Sequence, residues 1–471
     1  MRRRRSLQHQ LGLAVLLVAA LGVCYAQADS DKPAEPKAGA TASQAPEEFD
    51  YPMPEQPSDS SSTGERSFLL PGLHLSQSLD SKLDGSSAAG PRSVTRALGS
   101  LDLIKMWKRF RTSVDYVGGG AFSSEASTSG RQLHELQVNQ KFLWRNGQLG
   151  MRDSFSYLPE GSFGAGSFGG ATSYEASGLG SFSGGFGTEG TGEGSLGFEQ
   201  FGALGQDLRV SNVTSLDISE ALTSRSVVTM AGAFGLLHFV NNKRGLIDTQ
   251  LVSVQASFGY RLNRRDEIAF VSGFQDFHYP RIAAGSFTSY AERALYTRHV
   301  SARMDLMVGG GPQFLVIQNP QVAATRRITG SGFASLSYHL SRTNLSLSYS
   351  RRVTSGSGFF AGATSDIARL TATRHLALRW EAEADVGYAH STRIEPIPAG
   401  IDARSYQFGY AGGALRREIG RHWRAFVSYQ FNGIDFPGSA CSNAGAACGS
   451  FAQRHAATMG LDWHPLAIRL D

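Results

Sequence analysis

The sequence predicts an all-β protein: a transmembrane, antiparallel up-and-down β-barrel of about 16 strands, with 14 to 18 compatible with the pattern. Three observations predict it. Long runs alternate apolar and small polar residues, as in Arg326–Val353 (RRITGSGFASLSYHLSRTNLSLSYSRRV). Short polar turns alternate with longer connections along the chain. The N-terminus carries an export signal, yet no later stretch reaches 18 consecutive apolar residues. A chain that crosses a bilayer without an apolar helix must close its strands into a barrel, since only closure pairs every backbone N–H and C=O.

The hairpin within 326–353 shows the pattern most clearly. Ile328, Gly330, Gly332, Ala334, Leu336, Tyr338 and Leu340 share one parity; Thr329, Ser331, Ser335, Ser337 and His339 share the other, with Phe333 as the exception. After Ser341-Arg342-Thr343-Asn344 the alternation resumes, with Leu345, Leu347 and Tyr349 against Ser346, Ser348 and Ser350. Side chains alternate faces along a strand, and a membrane strand needs roughly 9–11 residues with its apolar face outward.

Residues 1–28 read as a signal peptide: a basic Arg2–Arg5, a 13-residue apolar stretch Leu11–Val23, and an Ala26-Gln27-Ala28 cleavage site. The rival reading is a lipoprotein anchored at Cys24, for which Val23 is a poor neighbour. Cleavage removes four bases and no acids, leaving 41 bases against 40 acids. The sequence pI of about 9.1 therefore reflects the signal segment and does not argue for nucleic-acid binding. Cys441 and Cys448 remain in the mature chain, and two cysteines in an exported protein read as one disulfide closing a short loop.

Residues 29–109 are rich in Pro, Ala, Ser, Asp and Glu and read as a disordered periplasmic segment, with a short amphipathic helix or an early strand near 94–109. The barrel is expected over 110–471. Its candidate strands are 110–122, 132–144, 149–158, 207–221, 226–239, 250–262, 267–279, 292–303, 305–317, 326–340, 345–354, 365–375, 379–392, 404–418, 422–434 and 451–464. Asn146-Gly147 marks a tight hairpin. Strand 292–303 alternates poorly, and Pro312 suggests a bulge. Seven short turns alternate with eight longer loops, which places both barrel ends on one side. Trp144, Trp380, Trp423 and Trp463 sit beside the short turns or the chain end, where an interfacial aromatic girdle belongs.

The 159–206 segment breaks the alternation with a degenerate Gly-Ser-Phe repeat. It carries Glu160, Glu175, Glu189, Glu193 and Glu199 and no base. It reads either as an external loop or as a loop folded into the lumen to narrow it. In the second case its carboxylates would face lumenal arginines, of which Arg152, Arg209, Arg261, Arg424 and Arg454 are candidates. By parity Glu135, Lys141, Asp217, Arg352, Arg369, Glu381, Glu383 and Asp385 also face inward. Such charges either set selectivity or pair with one another across strands.

Signal peptide, strand pattern and loop alternation over roughly 110–466 resemble Gram-negative outer-membrane β-barrels of the general-porin size class. The resemblance implies a bacterial outer-membrane location, contact with outer-membrane lipid and the barrel-assembly machinery, and homo-oligomers as one mode of assembly. It implies a porin-like channel for passive diffusion of small solutes or ions; the alternative is a surface adhesin or structural barrel with a plugged pore. One departure is the C-terminus, where Trp463 is followed by eight further residues in place of a terminal aromatic. The histidines are scattered and no nucleophile, phosphate-loop or metal-ligand motif is present, so neither an enzyme nor a cofactor or metal site is expected.

Overall fold

The structure, a computed structural model, describes residues 67–81, 92–123, 131–158, 209–240, 247–280, 286–319, 322–356, 360–394, 405–435 and 451–470. Every regular element among them is a strand: β1 (Phe68–Asp80), β2 (Arg92–Met106), β3 (Phe110–Ser123), β4 (Arg131–Trp144), β5 (Gly147–Leu158), β6 (Arg209–Ala221), β7 (Ser226–Phe239), β8 (Thr249–Arg261), β9 (Asp266–His278), β10 (Ser286–Ser301), β11 (Met304–Asn319), β12 (Val322–His339), β13 (Thr343–Thr354), β14 (Ala363–Ala377), β15 (Trp380–Arg393), β16 (Ser405–Ile419), β17 (Trp423–Asp435), β18 (Phe451–Trp463) and the two-residue β19 (Ile468–Arg469). Each strand from β1 to β18 pairs antiparallel with the next, and β1 pairs with β18. The result is a closed 18-stranded barrel.

The sixteen expected strands are all present, with ends displaced by a few residues. The other two, β1 and β2, come from the stretch 29–109, so the expectation of disorder fails there. Of the two alternatives for 94–109, a short helix or an early strand, the structure has the strand: β2 followed by the turn 107–109. The signal in FLLPGLHLSQSLD is real: Leu73, Leu75 and Leu79 alternate with His74, Ser76 and Ser78. It is short and flanked by Pro-, Ser- and Asp-rich sequence, which sets the composition of any wide window. Residues 29–66 lie outside the described residues, as do 1–28.

Strand β8 shows how sequence sets the two faces. Ser253 and Gln255 are 2% and 3% exposed, whereas Val254 and Phe258 are 49% and 42% exposed. Outward apolar and inward polar side chains are what a bilayer outside and a hydrated lumen inside require. The same polarity recurs at Leu73, Leu216, Met230, Phe270, Leu347, Val427 and Leu461, all outward and exposed. All five tryptophans lie at one rim. Trp107 is in the β2–β3 turn, Trp423 and Trp463 pair directly across strands, Trp144 donates to Glu220 (2.6 Å), and Arg417 stacks over Trp380 (5.1 Å). This short-turn rim carries an interfacial girdle.

The turns at that rim are locally specified. Thr223 Oγ1 accepts from the amides of Arg225 and Ser226 (3.1 and 3.0 Å), and Asn263 Oδ1 accepts from Arg265 and Asp266 (2.8 and 2.9 Å). These side chains replace backbone partners that a tight turn cannot supply. The bulge expected at Pro312 is absent: Pro312 pairs with Gly330 in an unbroken register. Instead the β10–β11 pairing skips Glu292 and Arg293, opposite the residue that has no amide hydrogen to give. Strand β10 alternates poorly because Glu292 points outward, where it accepts from Ser272 Oγ (2.7 Å).

The seam joins the first and last strands, with Leu73 opposite Trp463 and His74 opposite Asp462. Beyond Trp463 the chain leaves the sheet for four residues and returns as β19, whose Arg469 and Ile468 pair with Phe68 and Leu69. The residues after the last tryptophan therefore continue the wall.

Candidate functional site

The inner face follows from register. Each of the thirteen charged residues expected to point inward lies on the inward parity of its strand; for example Lys141 and Asp217 both oppose Gly150 from either side. Gly150 leaves room for the Asp217 carboxylate, which a Cβ there would approach to 2.6 Å. The five candidate arginines do not form one constriction. Arg261 and Arg424 sit near the short-turn rim, Arg209 and Arg454 towards the long-loop rim, and Arg152 midway along β5. Glu160, Glu175, Glu189, Glu193 and Glu199 lie outside the described residues, as do Cys441 and Cys448.

Three regions of the lumen differ in chemistry. On β14–β16 the charges pair with one another. Arg369 grips Asp385 through Nη2 (2.5 Å) and Nε (3.1 Å), Tyr410 Oη donates to the same carboxylate (2.8 Å), and Arg416 bonds Glu383 (2.8 Å). Gly387, opposite Tyr410, leaves the space its ring fills: a Cβ there would lie 2.1 Å from Tyr410 Cε1.

On β8–β13 the inner wall is basic and amide-rich. Arg293 and Arg352 share a pocket with Gln255, Gln275 and Gln313, and with Ser253, Ser289 and Ser331. Gln313 Nε2 donates to Ser289 Oγ (2.7 Å). No carboxylate lines this pocket. Two guanidinium groups among neutral amides and hydroxyls make this patch of the wall locally basic.

Beyond this wall, at the long-loop rim, the inner face turns apolar. Val213, Leu237, Phe239, Leu251, Phe277, Phe287, Leu315 and Ile317 point inward from β6 to β11 and pack with Tyr279, Val353, Ala361 and Ile394. The rings of Phe277 and Phe287 stack at 4.5 Å. The β13–β14 connection turns inward to meet them. Tyr279 Oη donates to the Ser355 carbonyl (3.2 Å), and on its other side Phe360 packs on Tyr406 (5.5 Å) beneath Arg393 (5.8 Å). Strands β9 and β13 are four spacings apart, roughly 19 Å along the wall. A loop that touches both runs as a chord inside the rim. Gly356 and Gly362 permit this path with φ of +88° and +93°. A Cβ at Gly362 would also lie 2.5 Å from Phe287 Cε1.

Among the described residues, those of the β13–β14 connection that turn inward are Ser355, Gly356, Phe360, Ala361 and Gly362, none of which the sequence singles out by composition. Their signal was available in the order of residues: SGSGFFAG sets two aromatics between glycines, in a connection too short to look like an occluder.

A closed barrel with an apolar outside, a polar inside and a tryptophan girdle is an outer-membrane β-barrel protein. No family model and no curated protein matches the sequence. Among solved structures the chain is similar to the ferric citrate transporter FecA (TM-score 0.41, 10% identity), covering 85% of this chain and 64% of that one. It is similar also to the FrpB iron transporter of Neisseria meningitidis (TM-score 0.43, 8% identity), covering 83% and 67%. A third is OccK5 (OpdH) of Pseudomonas aeruginosa (TM-score 0.43, 8% identity), covering 86% and 99%. The chain spans under two thirds of the length of FecA. The barrel assignment rests on register and on the polarity of the two faces.

Proposed function

We propose that this protein is a porin-like channel of the bacterial outer membrane through which small hydrated solutes diffuse passively, with anions preferred. The observation that carries the reading is the Arg293–Arg352 wall: two guanidinium groups, three glutamines and three serines on the inner face of a barrel wide enough for water, with no carboxylate among them. The lumenal charges of β14–β16 serve the wall itself, since they are satisfied by one another. Export through a cleaved signal peptide, insertion by the barrel-assembly machinery and contact with outer-membrane lipid belong to the same reading.

A second reading, a structural or adhesive barrel with a closed pore, is favoured by the apolar rim and the chord loop. Planar-bilayer recording of the full chain separates the two. A channel gives discrete conductance steps and a reversal potential displaced towards anions, and Arg293→Gln with Arg352→Gln moves that potential towards cations. A barrel that inserts and never conducts refutes the channel and leaves the closed one.

A further inference from the structure

The seam of the barrel gathers side chains that neither the wall nor a channel requires. His74 on β1 and Asp462 on β18 are 4% and 3% exposed and face each other in register. The His74 Nδ1–H donates to Asp462 Oδ1 (2.9 Å), and His74 Nε2 shares a hydrogen bond with Ser100 Oγ on β2 (2.9 Å). His464, just past β18, brings a second imidazole edge-on to the first, with ring centroids 5.4 Å apart. One donor atom each from His74, Asp462 and His464 lies within 4.8 Å of the others.

Two further features point the same way. The first is room. Gly72, opposite Ser100, is the position against which His464 rests: a Cβ there would fall 2.4 Å from Ser100 Oγ and 3.0 Å from His464 Nδ1. A side chain at Gly72 would crowd both the Ser100 hydroxyl and the His464 ring. The second is orientation. The His464 amide donates to the His422 carbonyl (2.8 Å), and the ring N–H of His422 donates to the His464 carbonyl (3.1 Å). The backbone behind the second imidazole is therefore held from both directions. Sequence offered no sign of this, because the ligands lie almost 400 residues apart and come together only when the barrel closes.

We infer that His74, Asp462 and His464 form a binding site for a borderline divalent cation of the Zn2+ or Co2+ kind. Two imidazoles and one carboxylate are the donor set such ions take, and three protein ligands leave a coordination position open. On binding, the ion replaces the proton on His74 Nδ1, which leaves to solvent. The bond between Nε2 and Ser100 then serves as the outer-shell contact that fixes the ring. The ion ties β1 to β18 and so staples the barrel at its only pairing between chain ends. Ser100, His74 and Asp462 also form a hydroxyl–imidazole–carboxylate line. Strand β2 is paired on both edges, however, so the amides beside Ser100 are engaged in ladders and do not converge on an oxyanion.

The test is titration of the metal-stripped full chain in detergent with Co2+. The expected result is one tight equivalent per chain with visible d–d absorption, displaced by Zn2+. His464→Ala removes that equivalent while the unboiled protein keeps its fast gel migration. Ser100→Ala weakens binding by about 10- to 100-fold, as loss of an outer-shell contact does. Zn2+ raises the urea midpoint of the wild type and leaves that of His464→Ala unchanged. Should His74→Ala fail to fold, the His464 variant still decides. Absence of a stoichiometric site, or equal binding by wild type and His464→Ala, overturns the inference. So does covalent capture of Ser100 by a fluorophosphonate, which would make the cluster a hydrolytic one.

Discussion

Replacing Gly387 by alanine tests whether the lumenal wall is packed as tightly as its register implies. The new Cβ would lie 2.1, 2.4 and 2.7 Å from Cε1, Cζ and Oη of Tyr410. Shifts of a few tenths of an ångström cannot relieve such contacts, so the ring must leave its place. Tyr410 is 2% exposed, and displacing a large buried side chain loses about 1.5–3 kcal/mol. The departing hydroxyl also takes its hydrogen bond from Asp385, a bond to a charged group worth about 1.5–3 kcal/mol. Arg369 stays on Asp385, and the freed hydroxyl reaches lumenal water, so the two losses do not add in full. A net cost of about 3–4 kcal/mol is expected, a fall of roughly 100- to 1,000-fold in the folding equilibrium constant. Urea unfolding of the refolded barrel, followed by the loss of heat-modifiable migration, measures it. Tyr410→Phe isolates the hydroxyl and should cost about half as much. With Tyr410 already replaced by alanine, Gly387→Ala should be nearly neutral. A cost below about 1 kcal/mol for Gly387→Ala in the wild-type background would refute the packing argument.

Two further outcomes follow from the faces and from the chord loop. Val254→Arg, on the lipid side of β8, should destabilise the barrel by about 2–4 kcal/mol, while Val254→Leu should leave its stability near wild type; an unchanged urea midpoint for Val254→Arg would contradict the assigned faces. Gly362→Ala meets both a φ of +93° and the Phe287 ring, so the chord should detach from the rim and single-channel conductance should rise; unchanged conductance would mean that this loop does not narrow the path.

What sequence made legible was whatever repeats with a period of two. The sixteen strands between 110 and 464 carry long alternations bounded by turn residues, and in β8 that parity decides which atoms meet lipid. The first strand was missed, and the second read only as one of two alternatives, because Pro-, Ser- and Asp-rich flanks outweigh short alternations such as LHLSQSL. Parity also placed Arg152, Arg209, Arg261, Arg424 and Arg454 on the inner face, yet it carries no information about height along the barrel, so it could not show that they lie at different levels. The acidic 159–206 repeat drew attention by its composition. The inward turn at 355–356 and 360–362 depends instead on two left-handed glycines and on partners four strands away. The His74–Asp462–His464 cluster is more distant still in sequence: its members become neighbours only through closure.

Closure has a consequence for how the chain reaches this shape. Every pairing between β1 and β18 joins consecutive strands except the seam itself, where His74 and Asp462 are 388 residues apart. The contact order of the wall is low until that final step, so hairpins can add one after another as a growing sheet. The entropy of joining the ends rises only with the logarithm of loop length, about 0.6 kcal/mol for each doubling, so the great length of the loop is a small obstacle. The hazard is the state just before closure, a curved sheet with two bare edges that invite pairing with other chains. Ser67 and Leu470, bonded at 3.1 Å, lie at the same rim, and a permuted chain opened in one of the long loops and joined through 67 and 470 would keep every strand pair. It would move the vulnerable edge to a different hairpin.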